Sequence, residues 1–251
     1  MTDDRELRIP EHPPLGRRAG IDLFDALGTT RSIRRFTDEP VTDDDLATMM
    51  FAATRAPTGS NRQPVRWLVL RDGPSAVEAR RLLGDAARRM WTGKRTNDGY
   101  EGGTGVDPAS PKARMARAMG AFVDDLDRAP LIVLPALVRY RDPTPTEGGS
   151  VYPAVQNLLL AARGLGYGGV LTMFQGIVED ELREVLGVPE GVGLMATVVI
   201  GRPQGGHGPV RRRPLDEVVY EDRWEGAADW AIEPSGTRHT SAGPPRRSGG
   251  A

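Results

Sequence analysis

The chain has 251 residues, 39% of them apolar, with 33 basic side chains against 34 acidic ones. That is enough for one large domain or two small ones, and the near-zero net charge gives no electrostatic reason to expect a nucleic-acid partner. There is no cysteine, and the only histidines are His12, His207 and His239, so disulfides, thiolate nucleophiles, iron–sulfur clusters and Cys-based zinc sites are excluded and a His-based metal site has little to stand on.

Residues 1–19 read as a flexible leader, acidic and Pro-rich up to Pro14, without the apolar run of a secretory signal. No stretch approaches membrane-spanning length, and a cytoplasmic protein is expected. Ile21, Leu23, Phe24 and Leu27 open a short helix ending near Gly28. Thr42 is placed to cap a clear helix, with Asp43, Asp44 and Asp45 at the positive end of its dipole. Leu46, Met49, Met50 and Ala53 then make one apolar stripe at helical spacing. Val65 to Arg71 predicts a strand, with Val65, Trp67 and Val69 alternating with Arg66 and Leu68. Ser75 with Glu78 is the expected start of the next helix, which carries Val77, Leu82, Leu83 and Met90. Residues 91–111 are Gly-rich and irregular, and are read as a mobile insertion or lid. Arg114 to Asp127 is again helical.

Leu131 to Val138 is a near-continuous apolar run, the mark of a strand buried on both faces, although Pro135 sits in its middle. Val151 to Arg163 predicts a helix apolar almost all round, which has to lie in a core or a subunit interface. Four glycines follow, at 164, 166, 168 and 169. Glu179 to Leu186 predicts a short helix closed by Gly187, and Leu194 to Ile200 a strand. Residues 201–224 read as an extended arm and 233–251 as a disordered tail. Helices and strands interleave without regular βα units, so residues 20–232 predict one α+β layered domain.

Four segments carry possible chemistry. Thr30 to Arg35 places three guanidiniums and two hydroxyls close together, suited to a phosphate or a negatively charged ring or to a solvated basic turn. Ala56 to Pro64 is a long polar loop whose amides and hydroxyls can meet the edge of a heterocycle, and equally an ordinary connection rich in turn residues. Gly164 to Met173 lets backbone approach a ligand but lacks the strand–glycine–helix order of a dinucleotide fingerprint; Gly164 and Gly166 read as a helix C-cap. Arg211, Arg212 and Arg213 lie on an extended segment and point to alternating sides. There is no nucleophile elbow, no phosphate-binding P-loop and no candidate carboxylate pair. An enzyme built this way would leave the chemistry to a cofactor.

Taken in order, these segments resemble the nitroreductase family of flavoproteins. The matching runs are Arg31-Ser32-Ile33-Arg34-Arg35-Phe36, Ala56-Pro57-Thr58-Gly59-Ser60-Asn61-Arg62-Gln63-Pro64, residues 152–162 with Gly164-Leu165-Gly166, and Arg212-Arg213-Pro214-Leu215-Asp216-Glu217-Val218-Val219. The resemblance implies a layered α+β fold with a central mixed β-sheet flanked by helices, and a homodimer with FMN at the subunit interface. It implies Arg31, Ser32 and Arg34 near the phosphate, ribityl chain and pyrimidine edge. It sets Pro57, Thr58, Gly59, Asn61 and Gln63 against the flavin from the partner subunit, and Leu171, Thr172 and Met173 beside the ring. Arg212, aided by Arg211, would reach the phosphate, and the apolar helix around Leu158 would form the dimer core. The insertion at 91–111 has no general counterpart in the family and reads either as a lid or pocket element, with Trp91 and Tyr100 as wall residues, or as a solvent-exposed loop. Many relatives carry a basic residue where this chain has Thr30 and another where it has Val210; Arg31 and Arg211 stand one position away. The implied activity is NAD(P)H-driven reduction of a small acceptor, such as a nitroaromatic or quinone, by a ping-pong cycle. Its rivals are dehalogenation or deazaflavin-linked chemistry on the same fold, and non-enzymatic flavin binding.

Overall fold

Strand β2 (Leu131–Val138) is buried along seven of its eight residues because both faces of the sheet are covered. Side chains alternate along a strand, and here the alternation sorts them between two cores. Ile132, Leu134 and Ala136 join the layer of helices α3 (Pro74–Asn97), α4 (Pro111–Asp124) and α6 (Glu179–Leu186). Leu131, Val133 and Leu137 join α2 (Asp43–Ala53) and α5 (Tyr152–Gly164) on the other face. The computed structural model describes residues 20–234. The leader expected at 1–19 and nearly all of the tail expected at 233–251 lie outside them.

The sheet runs β1 (Val65–Leu70), β2, β5 (Thr197–Gly201), β3 (Gly168–Thr172), with β4 (Val192–Leu194) also on β2. Every pairing of these strands is antiparallel, which corrects the expectation of a mixed sheet. Two helices rather than one connect β1 to β2, and a second reversal returns the chain antiparallel. The single helix α5 does carry β2 to a strand of the same direction, β3, but β5 inserts between the two. Among the described residues the isolated bridge between Ser32 and Gly169 is parallel.

Several elements match the sequence reading. The Thr42 hydroxyl accepts from the Asp45 N–H at 3.2 Å, as a cap should. Gly187 closes α6 at φ 63°. Pro135 is accommodated in register opposite Trp67. Other elements differ. α3 is capped by Gly73 with Pro74 at its first turn, so Ser75 lies inside the helix. It runs on to Asn97 through a stretch read as irregular, because Trp91 turns into the core (6% exposed) and packs its ring 5.2 Å from Tyr100. Trp91 is therefore a core residue rather than a pocket wall. Ser110 caps α4 through the Ala113 N–H, the helix begins at Pro111, three residues before the expected start, and it ends at Asp124. The strand expected at 194–200 is two, broken at Met195 and Ala196, where the Met195 N–H donates to Pro135.

Leu158 is fully buried within its own subunit, against α2. The half-buried Leu159 and Leu160 lie on the rest of α5. Helix α1 (Leu23–Thr29), capped by the Asp22 carboxylate, buries only Ala26 and leaves Phe24 77% exposed. Among the described residues no helix is long and apolar enough to cross a membrane.

Candidate functional site

After α1 the chain is strapped along the free edge of β3. The Ile33 N–H donates to Gly169 at 2.9 Å, the Thr37 N–H to Arg202 at 2.8 Å, and Phe36 bridges to Pro203. Buried Ile33 anchors the strap between exposed Ser32 and half-buried Arg34. Glycine at 168 is what permits this contact, and glycine at 169 permits the close packing of β3 on β5. A Cβ at Gly168 would stand 2.6 Å from Ile33, and one at Gly169 would stand 2.7 Å from the Val199 carbonyl.

The arm returns to the same place. The Val210 N–H donates to the Gly28 carbonyl at 3.0 Å, and Gly208 lies beside the Arg31 guanidinium. That leaves Arg211 and Arg212 exposed next to the strap. Among the described residues Arg212 donates to the carbonyl of Arg211 alone, at 2.8 Å. Arg213 is instead paired with Glu217 at 3.1 Å. Among the described residues Arg31, Arg34, Arg211 and Arg212 form no ion pair with an acid. Among the described residues, the Arg34 Nε and the Thr30 hydroxyl are shielded from water without a hydrogen-bond partner. Burial lowers the Arg34 pKa, and the nearby Tyr100 oxygen offsets this only in part. Cations left this way call for an anion.

The strand β3 delivers half-buried Leu171 and Thr172 and exposed Met173 beyond the strap. The Thr172 hydroxyl is committed to the Thr197 carbonyl at 3.1 Å, so its backbone is what remains to face a ligand. The Thr197 hydroxyl in turn donates to Gln175 at 3.0 Å, fixing the turn that follows Met173.

Residues 57–63 lie elsewhere. They lead into β1, and β2, β5 and β3 stand between β1 and the strap, which puts them about 19 Å across the sheet from it. The Gln63 N–H donates to the Thr58 hydroxyl at 3.0 Å and the Gly59 N–H to Ser150 at 3.4 Å. Ser60, Asn61 and Gln63 all adopt left-handed backbone, with φ of 51°, 51° and 50°. Non-glycine residues enter that region at a cost of about 1–3 kcal/mol each, and such strain concentrates at functional sites. Pro57, Gly59 and Asn61 are exposed. Thr58 and Gln63 line a cavity of about 190 Å³ with Trp67 and Ala154. Arg34 lines a different one of about 450 Å³ with Arg35, Asp125 and Arg128. One copy thus gathers Arg31, Ser32, Arg34, Leu171 to Met173, Arg211 and Arg212 at one edge, and Pro57 to Gln63 at the other.

The sequence reading missed His207 and Arg163. The His207 ring bonds through Nε2 to the Tyr167 carbonyl at 3.1 Å, half-buried beneath the strap. Its pKa is lowered, first by burial and then by the charges of Arg163 and Arg31, with the carbonyls of Tyr167 and Thr29 pulling the other way. Arg163 reaches the Thr29 hydroxyl at 3.2 Å while its Nε has no partner among the described residues. A histidine in a Gly-rich arm carries no periodic signal; only the fold brings it under Arg31.

Comparison with known proteins gives concordant matches. The family model described as the nitroreductase family matches residues 27–202. An Archaeoglobus fulgidus protein described as an NADH dehydrogenase/NAD(P)H nitroreductase is 30% identical over 181 residues, 70% of this chain and 82% of its own length. An NADH dehydrogenase of Thermus thermophilus is 27% identical over 218 residues, covering 79% and 95%. A Desulfovibrio desulfuricans nitroreductase, solved in complex with FMN, superposes with a TM-score of 0.58 at 26% identity, covering 85% of this chain and 99% of that one.

Proposed function

The chain belongs to the nitroreductase family, and on that premise we propose that it is an FMN-dependent oxidoreductase. It passes electrons from NAD(P)H to a small oxidised organic acceptor, such as a nitroaromatic or quinone, and it works as a homodimer. The observation that carries this reading is that Arg31 and Arg34 on the strap, and Arg211 and Arg212 on the arm that returns to it, form no ion pair with an acid among the described residues. A phosphorylated ring with an electron-poor pyrimidine edge satisfies all four. The structure of the Desulfovibrio desulfuricans relative was solved with FMN.

Arg31, Arg211 and Arg212 would hold the phosphate and Ser32 the ribityl chain. Arg34 would lie at the pyrimidine edge, and Leu171, Thr172 and Met173 beside the ring with a backbone N–H towards N5. The Pro57 to Gln63 loop would come from a second copy, which agrees with its place on the opposite edge of the sheet. Exposed apolar side chains also support a second copy: Phe24 on α1, and Trp224, Trp230 and Ile232 at 79%, 61% and 74% exposure near the end of the described chain. When bound, FMN would supply the redox chemistry, hydride transfer between NAD(P)H and a small acceptor. The contribution of Arg34 is a fixed positive charge where negative charge gathers on reduction. No side chain is assigned as a dedicated acid or base.

The test is a fluorescence titration of the purified full chain with FMN, with its mass in solution, followed by anaerobic addition of NADH or NADPH in separate arms. One FMN per chain, a dimeric mass and bleaching by at least one nucleotide are expected. A colourless monomer that ignores FMN overturns the reading.

A further inference from the structure

The strained 57–63 loop meets the end of β2 across a further cavity of about 330 Å³, walled by Gly59, Pro64, Tyr140, Arg141 and Thr146 among others. Arg139 braces it, gripping Glu147 through two bonds of 2.9 and 2.8 Å, so that both charges are satisfied and residues 139–147 are closed into a loop. At the rim Tyr140 is 60% exposed. Two guanidiniums lie against its ring, that of Arg62 at 4.3 Å and that of Arg141 at 5.3 Å from the centroid. Neither forms an ion pair among the described residues. Glu147 is already taken by Arg139, and Asp142, which lines the same cavity, pairs with neither arginine. Stacking uses the flat face of a guanidinium and leaves its N–H edge free to take oxyanions. Two like charges held on one ring repel each other, and a shared dianionic group between their edges would remove that repulsion.

We propose that this cavity is the subsite for the phosphorylated adenosine half of the nicotinamide donor, with Arg62 and Arg141 on a phosphoryl group. This rests on the oxidoreductase reading, because Gly59 belongs both to the cavity and to the loop assigned to the flavin, so a donor lying on the ring extends its far end here. Two phosphoryl groups have the required chemistry: the 2′-phosphate that only NADPH carries, and the pyrophosphate common to NADPH and NADH.

Calorimetric titration of the full chain with adenosine 2′,5′-bisphosphate and with ADP, each with and without FMN, separates them. At least one nucleotide is expected to bind, and Arg141→Ala to weaken it about tenfold while bound FMN is unchanged. Arg141→Lys, which keeps the charge without the fork, should fall between. Selective loss of the bisphosphate, with a raised KM for NADPH and not NADH, identifies the 2′-phosphate; equal loss of both identifies the pyrophosphate. No binding of either nucleotide, or binding unaffected by Arg141→Ala, overturns the proposal. Arg141 is exposed, and an unchanged thermal midpoint verifies that the variant folds. If FMN fails to bind but the bisphosphate binds in an Arg141-dependent way, the flavin reading falls and the subsite stands. If FMN binds and neither nucleotide does, the reverse holds.

Discussion

Arg34→Met is expected to leave the ligand-free protein as stable as before, or more so, while weakening FMN. The Arg34 side chain is half-buried, its Nε is unpartnered, and burial depresses its pKa. Methionine keeps an unbranched apolar stem in the same place and removes the unsatisfied charge. Without ligand the gain is at most about 1 kcal/mol, because the group is only partly withdrawn from water. With FMN the variant loses a charge-assisted hydrogen bond worth about 1.5–3 kcal/mol, so Kd rises roughly 10- to 150-fold. At a ligand concentration about 100 times the wild-type Kd, bound FMN stabilises the native state by about 2.7 kcal/mol; a tenfold weaker variant keeps only about 1.4 kcal/mol of that. Urea unfolding with and without FMN, alongside a fluorescence titration, reads both quantities. A variant that is clearly less stable without ligand yet binds FMN as tightly as wild type would make Arg34 a packing residue and refute this account.

His207 sets a pH dependence. Its folded pKa lies below the ordinary value, so the unfolded chain takes the proton first. Stability is therefore fully present above about pH 6.5 and falls as pH drops through that value towards the folded pKa. Urea midpoints measured against pH should show this fall, reduced in His207→Gln; identical profiles for the two proteins would remove His207 as its source. Arg212→Ala should weaken FMN about tenfold, whereas Arg213→Ala, which loses a partly exposed pair with Glu217, should change affinity little and stability by no more than about 1 kcal/mol; flavin titration of both variants checks this. Leu158→Ala should cost about 2–5 kcal/mol, because Leu158 is fully buried within its own subunit; a denaturation midpoint close to wild type would contradict that placement.

Much of the fold was legible because it follows local rules. The unbroken apolar run of β2, the Thr42 cap and the Gly187 stop depend on neighbours within a few residues. The errors occurred where tertiary packing overrides them. Gly93, Thr96 and Asn97 read as a loop, yet the burial of Trp91 carries α3 through them. Strand direction was illegible, since it depends on β5 returning from the far end of the chain to lie between β2 and β3. The orientation of α5 was equally hidden. A helix apolar all round buries every face, and the sequence contains nothing that says which face meets α2 and which is left for another molecule.

The site was legible as residue types and illegible as geometry. Arg31, Arg34 and the arginines at 211–213 announce an anion by their density, but only the fold separates Arg213, held by Glu217, from Arg211 and Arg212, which are not. The loop at 57–63 shows the limit most clearly. Its amides and hydroxyls mark a binding segment, and the left-handed conformations of Ser60, Asn61 and Gln63 show that the fold pays for its shape. Within one chain that shape faces nothing at the β3 edge, because two strands stand between. Strain that brings no contact to the β3 edge of its own subunit is retained where it pre-arranges a contact with something else. A second copy presenting this loop to the opposite edge is the arrangement in which the strained backbone and the unpaired guanidiniums serve the same ligand.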